Sequence, residues 1–127
     1  QGWANSGPAV FERGKLYTAR GSVVPPPGPP AKPAIKAIDT TNGDILWTTP
    51  VAVPSLSAGV LATRGGVVFA ATSESQFMAL DSRTGKPLWH FRTGARIAAS
   101  PVSYAIDGKQ YVAIGAGNTL YAFALPG

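Results

Sequence analysis

The stretch AIDTTNGDILW, Ala37 to Trp47, has a near copy 42 residues downstream, ALDSRTGKPLW, Ala79 to Trp89. Both run Ala, an apolar residue, Asp, then a Gly six residues after the Ala and a Trp four residues after the Gly. Self-similarity at a period of about 20 to 50 residues marks a repeat architecture, in which each unit buries its apolar face only against its neighbours. A hairpin turn used twice, with a core Trp at no special place, is the competing explanation; agreement at five equally spaced positions favours the repeat.

The rest of the chain divides on the same pattern. GKLYTA (14–19), GGVVFAA (65–71) and GKQYVAI (108–114) are apolar runs entered through Gly and centred on Tyr17, Phe69 and Tyr111. Each follows another apolar run (PAVFE, GVLAT, SPVSYAI) through a Gly turn and precedes a third (AIKAID, QFMALD, TLYAFAL). A fourth run, ILWTT or PLWHF, carries the Trp in the first two units. Short runs bounded by Gly, Pro, Asn and Asp are strand signals, while Pro and Gly interrupt every window long enough for a helix. The expected fold is all-β: β-propeller blades of four antiparallel strands, two complete over 7–49 and 57–91 and a three-stranded one over 96–125, within a single partial propeller domain 1–127. The Pro-rich segment 24–33, VPPPGPPAKP, holds six of the twelve prolines and is read as a stiff insertion between two strands of the first blade. Gln1 to Gly7 is read as too short and Gly-rich to complete the last blade as well as a true strand would.

In each copy the Asp, Asp39 or Asp81, is placed to accept N–H bonds from the turn immediately after it, and Gly43 or Gly85 to supply its positive φ. Trp47 and Trp89 are expected to be largely buried between sheets, with Ala37 and Ala79 small enough to let the indoles lie close.

Composition removes several functions. Zero cysteines exclude disulfides, thiolate metal sites and a Cys nucleophile. The net charge of +5 comes from eleven scattered cations with no two adjacent, so no nucleic-acid-binding stripe is present. No run approaches a membrane span, and QGWANSGPAV lacks the basic start and apolar run of a signal peptide.

The pattern Ala-x-Asp-x-x-x-Gly-x-x-x-Trp resembles the tryptophan-docking motif of the pyrroloquinoline quinone (PQQ) dependent alcohol dehydrogenases. GGVVFAATSESQFMALDSRTGKPLWHFRTGARIAASPVSYAIDGKQYVAIGAGNTLYAFALPG is similar nearly end to end to the last blades of that family, and GWANSGPAVFERGKLYTA fits less tightly as the blade before. The resemblance implies an eight-bladed periplasmic propeller that oxidises alcohols with PQQ beside a Ca²⁺ or lanthanide ion, with a cytochrome c as a candidate electron acceptor. The family's catalytic Asp and its metal-holding Glu and Asn sit in earlier blades, so no catalytic residue or metal ligand is carried over onto this chain. The family's adjacent-cysteine disulfide is absent. Non-catalytic propeller scaffolds, among them outer-membrane assembly lipoproteins, use the same repeat, and a scaffold that binds protein partners is the alternative.

Segments that lead from one blade to the next reach one face of the channel, which makes Arg96 and Ser100, and behind them Ser57, candidates for cofactor contact. A solvated rim arginine is the plainer reading of Arg96. His90, the single histidine, has no acid or nucleophile at readable spacing. Two and three-quarter blades leave open faces and edges, so the remaining blades are expected from a longer parent chain, another subunit or self-association.

Overall fold

The computed structural model describes residues 2–4, 13–14, 22–24, 27–29, 32–52, 58–72 and 74–125. The chain forms two compact units, Gln1–Ala31 and Lys32–Gly127. In the first, β1 (Gly2–Ala4) pairs antiparallel with β2 (Ser22–Val24), placing Trp3 opposite Val23. Gln1 to Gly7 therefore contains a short strand, paired within its own unit. Three backbone units are enough for a ladder when a partner is at hand, and Trp and Val both favour extended backbone. The strands expected at 8–12 and 15–19 lie outside the described residues. Of the Pro-rich segment, Val24 closes β2 and residues 27–29 form a bend.

Among its described residues the second unit holds three antiparallel sheets. The first pairs β3 (Ala34–Ile38) with β4 (Ile45–Pro50). The second runs β5 (Leu61–Ala62), β6 (Val67–Ala71), β7 (Gln76–Asp81), β8 (Pro87–Arg92) in spatial order. The third runs β9 (Val102–Ile106), β10 (Lys109–Ala116), β11 (Thr119–Ala124). No helix occurs among the described residues. Turn chemistry sets the register. Asp107 and Gly108 both take positive φ, 50° and 77°, and form a two-residue hairpin loop that leaves Ile106 opposite Lys109.

The middle sheet is packed on both faces, and β7 shows it. Phe77, Met78, Ala79 and Leu80 are all buried, the continuous apolar signature of a strand with neighbours above and below. Met78 and Leu80 join Ala70 against Ile35 and Trp47 of the first sheet. Phe77 turns the other way, into a cluster with Val112, Ile114 and the connecting residue Ile97, flanked by Phe69 and Phe123. Rings fill this second joint: Phe77 lies 5.8 Å from Phe69 and 5.7 Å from Phe123.

Phe77, with no exposed surface, is the largest fully buried side chain between the second and third sheets. Phe77→Ala is expected to lower stability by about 3–5 kcal/mol. Leu125→Ala, at a residue 83% exposed, should stay within about 0.5 kcal/mol. Urea unfolding of the two variants followed by tryptophan fluorescence checks the contrast.

Candidate functional site

The two eleven-residue copies fold alike. Ala37 faces Trp47 and Ala79 faces Trp89 across their ladders, and in both the register shifts immediately after the Ala. Asp39 N–H donates to the Asp44 carbonyl at 2.8 Å and Gly43 N–H to the Asp39 carbonyl at 2.8 Å. The second copy repeats this with Asp81 to Lys86 at 2.9 Å and Gly85 to Asp81 at 2.8 Å. Each carboxylate is caged by its own turn. Thr41 donates to Asp39 Oδ1 from its hydroxyl at 2.6 Å and its N–H at 2.8 Å. Asp81 Oδ1 accepts from the N–H groups of Arg83 and Thr84, both at 2.9 Å, and from the Thr84 hydroxyl at 3.0 Å. The Thr41 hydroxyl foremost, then its N–H, holds the Asp39 carboxyl below the usual carboxylate range; the Arg83 N–H foremost, then Thr84, does so for Asp81.

The first copy docks on the second. Trp47 donates its indole N–H to the Ser82 carbonyl at 2.9 Å, and the buried Thr49 hydroxyl donates to the Gly85 carbonyl at 2.6 Å. The indole lies directly on Gly85, where an added Cβ would stand 2.4 Å from Trp47 Cε3. Gly85 is thus needed twice, for its φ of +70° and for the missing side chain. Gly43, at φ +81°, has open space at the same point. Thr49 and the Ser82 carbonyl are contacts that the sequence did not disclose. Thr49 lies two residues beyond Trp47 on the same strand face and was open to inference from that spacing. A backbone carbonyl leaves no mark in a sequence.

Trp89 departs from the expected burial, being 39% exposed while Trp47 is half-buried. Among the described residues, Trp89 meets Phe123 edge-on at 5.0 Å and lies parallel to Phe91 at 6.2 Å.

The segment 93–100, linking the second sheet to the third, is strongly anchored. The Thr93 hydroxyl is 3.1 Å from the Ser75 carbonyl and 2.7 Å from that of Ala95, and Tyr121 donates its hydroxyl to the Thr93 carbonyl at 2.8 Å. The Arg96 carbonyl accepts from Gly117 N–H at 3.0 Å, and buried Ile97 bridges to Ala116. Between these anchors the Arg96 side chain is exposed, and its guanidinium has no ion-pair partner among the described residues. Ser100 meets the equivalent linker of the preceding sheet: its Oγ accepts from Gly59 N–H at 2.9 Å, so that hydroxyl keeps a proton to donate. The structure therefore brings Ser100 to Gly59 across 41 residues and leaves Arg96 pointing into solvent. Ser57 lies outside the described residues. His90 is exposed on β8 opposite Met78.

A divalent cation wants six or more clustered oxygens. Among the described residues no three of His, Cys, Asp and Glu come together. Asp39 and Asp81 are occupied by their turns, and Asp44 accepts from the Asn42 amide at 2.9 Å. These residues do not fit a Ca²⁺ or lanthanide site. For a quinone carrying carboxylates, Arg96 and Ser100 offer one cation and one hydroxyl donor.

Sheets stacked face to face, each four-stranded when complete and each keyed to the next through a Trp-bearing strand, are the blades of a β-propeller. The chain belongs to the family described as outer membrane protein assembly factor BamB (PQQ_2), whose match spans residues 2–125. It is 41% identical over 92 residues to quinoprotein alcohol dehydrogenase PedE of Pseudomonas putida, covering 72% of this chain and 14% of that protein. Quinohemoprotein alcohol dehydrogenase from Comamonas testosteroni superimposes with a TM-score of 0.62 at 32% identity, over 72% of this chain and 14% of that one. BamB from Moraxella catarrhalis superimposes with a TM-score of 0.55 at 25% identity, over 72% of this chain and 31% of that one. The chain thus spans about a seventh of the length of the dehydrogenases it matches.

Gly85→Ala is expected to cost about 2–4 kcal/mol, its positive φ and its collision with Trp47 adding together, whereas Gly43→Ala should cost only the backbone part, about 1 kcal/mol. Chemical denaturation of both variants measures the difference. The depressed Asp39 and Asp81 acidities also set a pH dependence. A carboxylate whose folded pKa lies below its unfolded value, near 3.9, contributes stability that is complete above that value and is lost as pH falls through the folded pKa. Asp39→Asn with Asp81→Asn should lower the urea midpoint at pH 7 and flatten its decline below about pH 4.

Proposed function

We propose that this chain is a structural, C-terminal stretch of the propeller of a PQQ-dependent alcohol dehydrogenase. The observation that carries the reading is the 41% identity to a quinoprotein alcohol dehydrogenase over 92 residues, set against 25% for the superimposed assembly factor. Ala37, Asp39, Gly43, Trp47 and Ala79, Asp81, Gly85, Trp89 serve as two tryptophan-docking motifs, a reading supported by Trp47 lying on Gly85 and by the matching cages around the two carboxylates. PQQ, which supplies the two-electron oxidation when bound, and its Ca²⁺ or lanthanide belong to the parent's earlier blades, and a periplasmic parent passes electrons to a cytochrome c. This chain's contribution to the cofactor is at most Arg96 and Ser100: a guanidinium free to hold a carboxylate or quinone oxygen, and a hydroxyl with a proton to donate.

A second reading, a non-catalytic scaffold that holds protein partners, is favoured by the family description itself. Exchange of the aligned stretch of PedE for this chain separates the two. With PQQ and Ca²⁺ the chimera should oxidise alcohol, read by reduction of an artificial acceptor, to within about tenfold of PedE, while the isolated chain should give none. Arg96→Ala in the chimera should weaken PQQ retention about tenfold with an unchanged melting temperature, a charge-assisted bond being worth about 1.5–3 kcal/mol. A folded but inactive chimera would favour the scaffold, and turnover by the isolated chain would place the active site here.

A further inference from the structure

Of the Asn and Asp residues in the chain, only Asn42 and Asp107 are followed by glycine. The backbone nitrogen after an Asn or Asp can attack that residue's Cγ and close a five-membered succinimide, and a following glycine, with no Cβ, leaves that nitrogen unhindered. The N–Cγ bond forms as ammonia leaves Asn, or as water leaves Asp. Water then opens the ring at either carbonyl, giving aspartate or isoaspartate. A carboxyl group ionised at neutral pH resists this attack and a carboxamide does not, so in an unstructured chain Asn42 reacts first. The two sites are alike in exposure and in the geometry of their glycines. Gly43 and Gly108 take φ of +81° and +77°, and neither has an atom within 4 Å of where a Cβ would stand. They differ in hydrogen bonding. Gly43 N–H donates to the Asp39 carbonyl at 2.8 Å, the Asn42 amide donates to the Asp44 carboxylate at 2.9 Å, and Asn42 Oδ1 accepts from Asp44 N–H at 2.9 Å. In the hairpin loop between β9 and β10, neither Gly108 N–H nor the Asp107 carboxylate has a hydrogen bond or ion pair among the described residues.

We infer that isoaspartate forms in the folded chain at Asp107-Gly108, and that the turn of the first repeat shields the intrinsically faster Asn42-Gly43. The attacking nitrogen must lose its proton and swing toward Cγ, so Gly43 reacts only after leaving Asp39, and the Asn42 amide only after leaving Asp44. Three net hydrogen bonds, each worth about fivefold in population, together slow ring closure about a hundredfold. Gly108 has no such bond to break, and the ladder pair of Ile106 with Lys109 that flanks it contributes no atom to the ring. The second repeat has Thr84 where the first has Asn42, so its turn has no amide to lose. Isoaspartate at position 107 carries the chain through the side-chain carbon, which adds a methylene to the backbone of a two-residue loop and perturbs the β9–β10 hairpin. Conversion of Asn42 would instead delete the donor to Asp44 and set a second carboxylate beside it. The chemistry is local, so it proceeds whether the parent is an enzyme or a scaffold.

Incubation of the 127-residue chain at pH 7, folded and in guanidinium chloride, followed by tryptic digestion and mass spectrometry, tests it. Trypsin releases 37–64, in which Asn42 is the one amide side chain, and 97–109, in which Asp107 is the one acid. Conversion of Asn42 reads as the gain in mass on exchanging NH₂ for OH. Isomerisation of Asp107 reads as a new peptide of unchanged mass, assigned by electron-transfer fragmentation. Circular dichroism checks that the sample without denaturant stays folded. In the folded chain, isomerised 97–109 should accumulate faster than converted 37–64. In denaturant the order should reverse, with conversion at Asn42 rising about a hundredfold and isomerisation at Asp107 by less than about tenfold. Asp44→Ala deletes one of the three bonds and should speed folded-state conversion at Asn42 about fivefold, with no change in denaturant. Faster conversion at Asn42 than isomerisation at Asp107 in the folded chain, or equal rates at Asn42 with and without denaturant, would overturn the proposal. Neither outcome bears on the PedE chimera, so the functional reading stands or falls separately.

Discussion

The structure depends on one contact between successive sheets, the Trp47 indole lying on the backbone of Gly85. A flat ring and a bare glycine approach more closely than any pair of side chains, and the indole N–H and the Thr49 hydroxyl satisfy the Ser82 and Gly85 carbonyls at the same place. The ring therefore excludes water without leaving polar backbone groups unpaired, which is the condition for burying a turn. The Asp81 cage matters because it holds the turn in the shape that offers Gly85 to the ring. Carboxylate, glycine and tryptophan form one device split between two sheets.

At the second joint the described packing differs in kind. The described contacts of Trp89 are with rings, Phe123 above all. Aromatic edges and faces tolerate a range of angles, whereas a hydrogen-bonded indole on a glycine does not. The first joint is accordingly directional, and the second is an apolar cluster built on Phe77, Ile97 and Ile114. The linker 93–100 restores direction to the second joint through Thr93, Tyr121 and Ser100, all bonded to backbone groups. That anchoring leaves Arg96 on a segment held at both ends, with its side chain exposed.

Much of this was legible in the sequence. The all-β class, the turn roles of Asp39, Gly43, Asp81 and Gly85, and the strand runs from Ala34 onward came from the repeat and from Gly and Asp placement, because these act through local backbone geometry. One expectation failed for lack of non-local information: Trp89, expected to be largely buried, is 39% exposed, and its described partner on the neighbouring sheet is Phe123. The pairing of Gly2–Ala4 with Ser22–Val24 was likewise not legible. In both cases the deciding group is remote in sequence.

The sequence by itself determined the period, the turn chemistry and the alternation of each strand, since φ preferences and side-chain direction are properties of one residue and its immediate neighbours. Only the tertiary structure decided which carbonyl receives the Trp47 N–H and that Ser100 meets Gly59 rather than solvent. Those outcomes depend on how sheets 40 or so residues apart approach each other, and a contact at that range is set by the shape of both partners together.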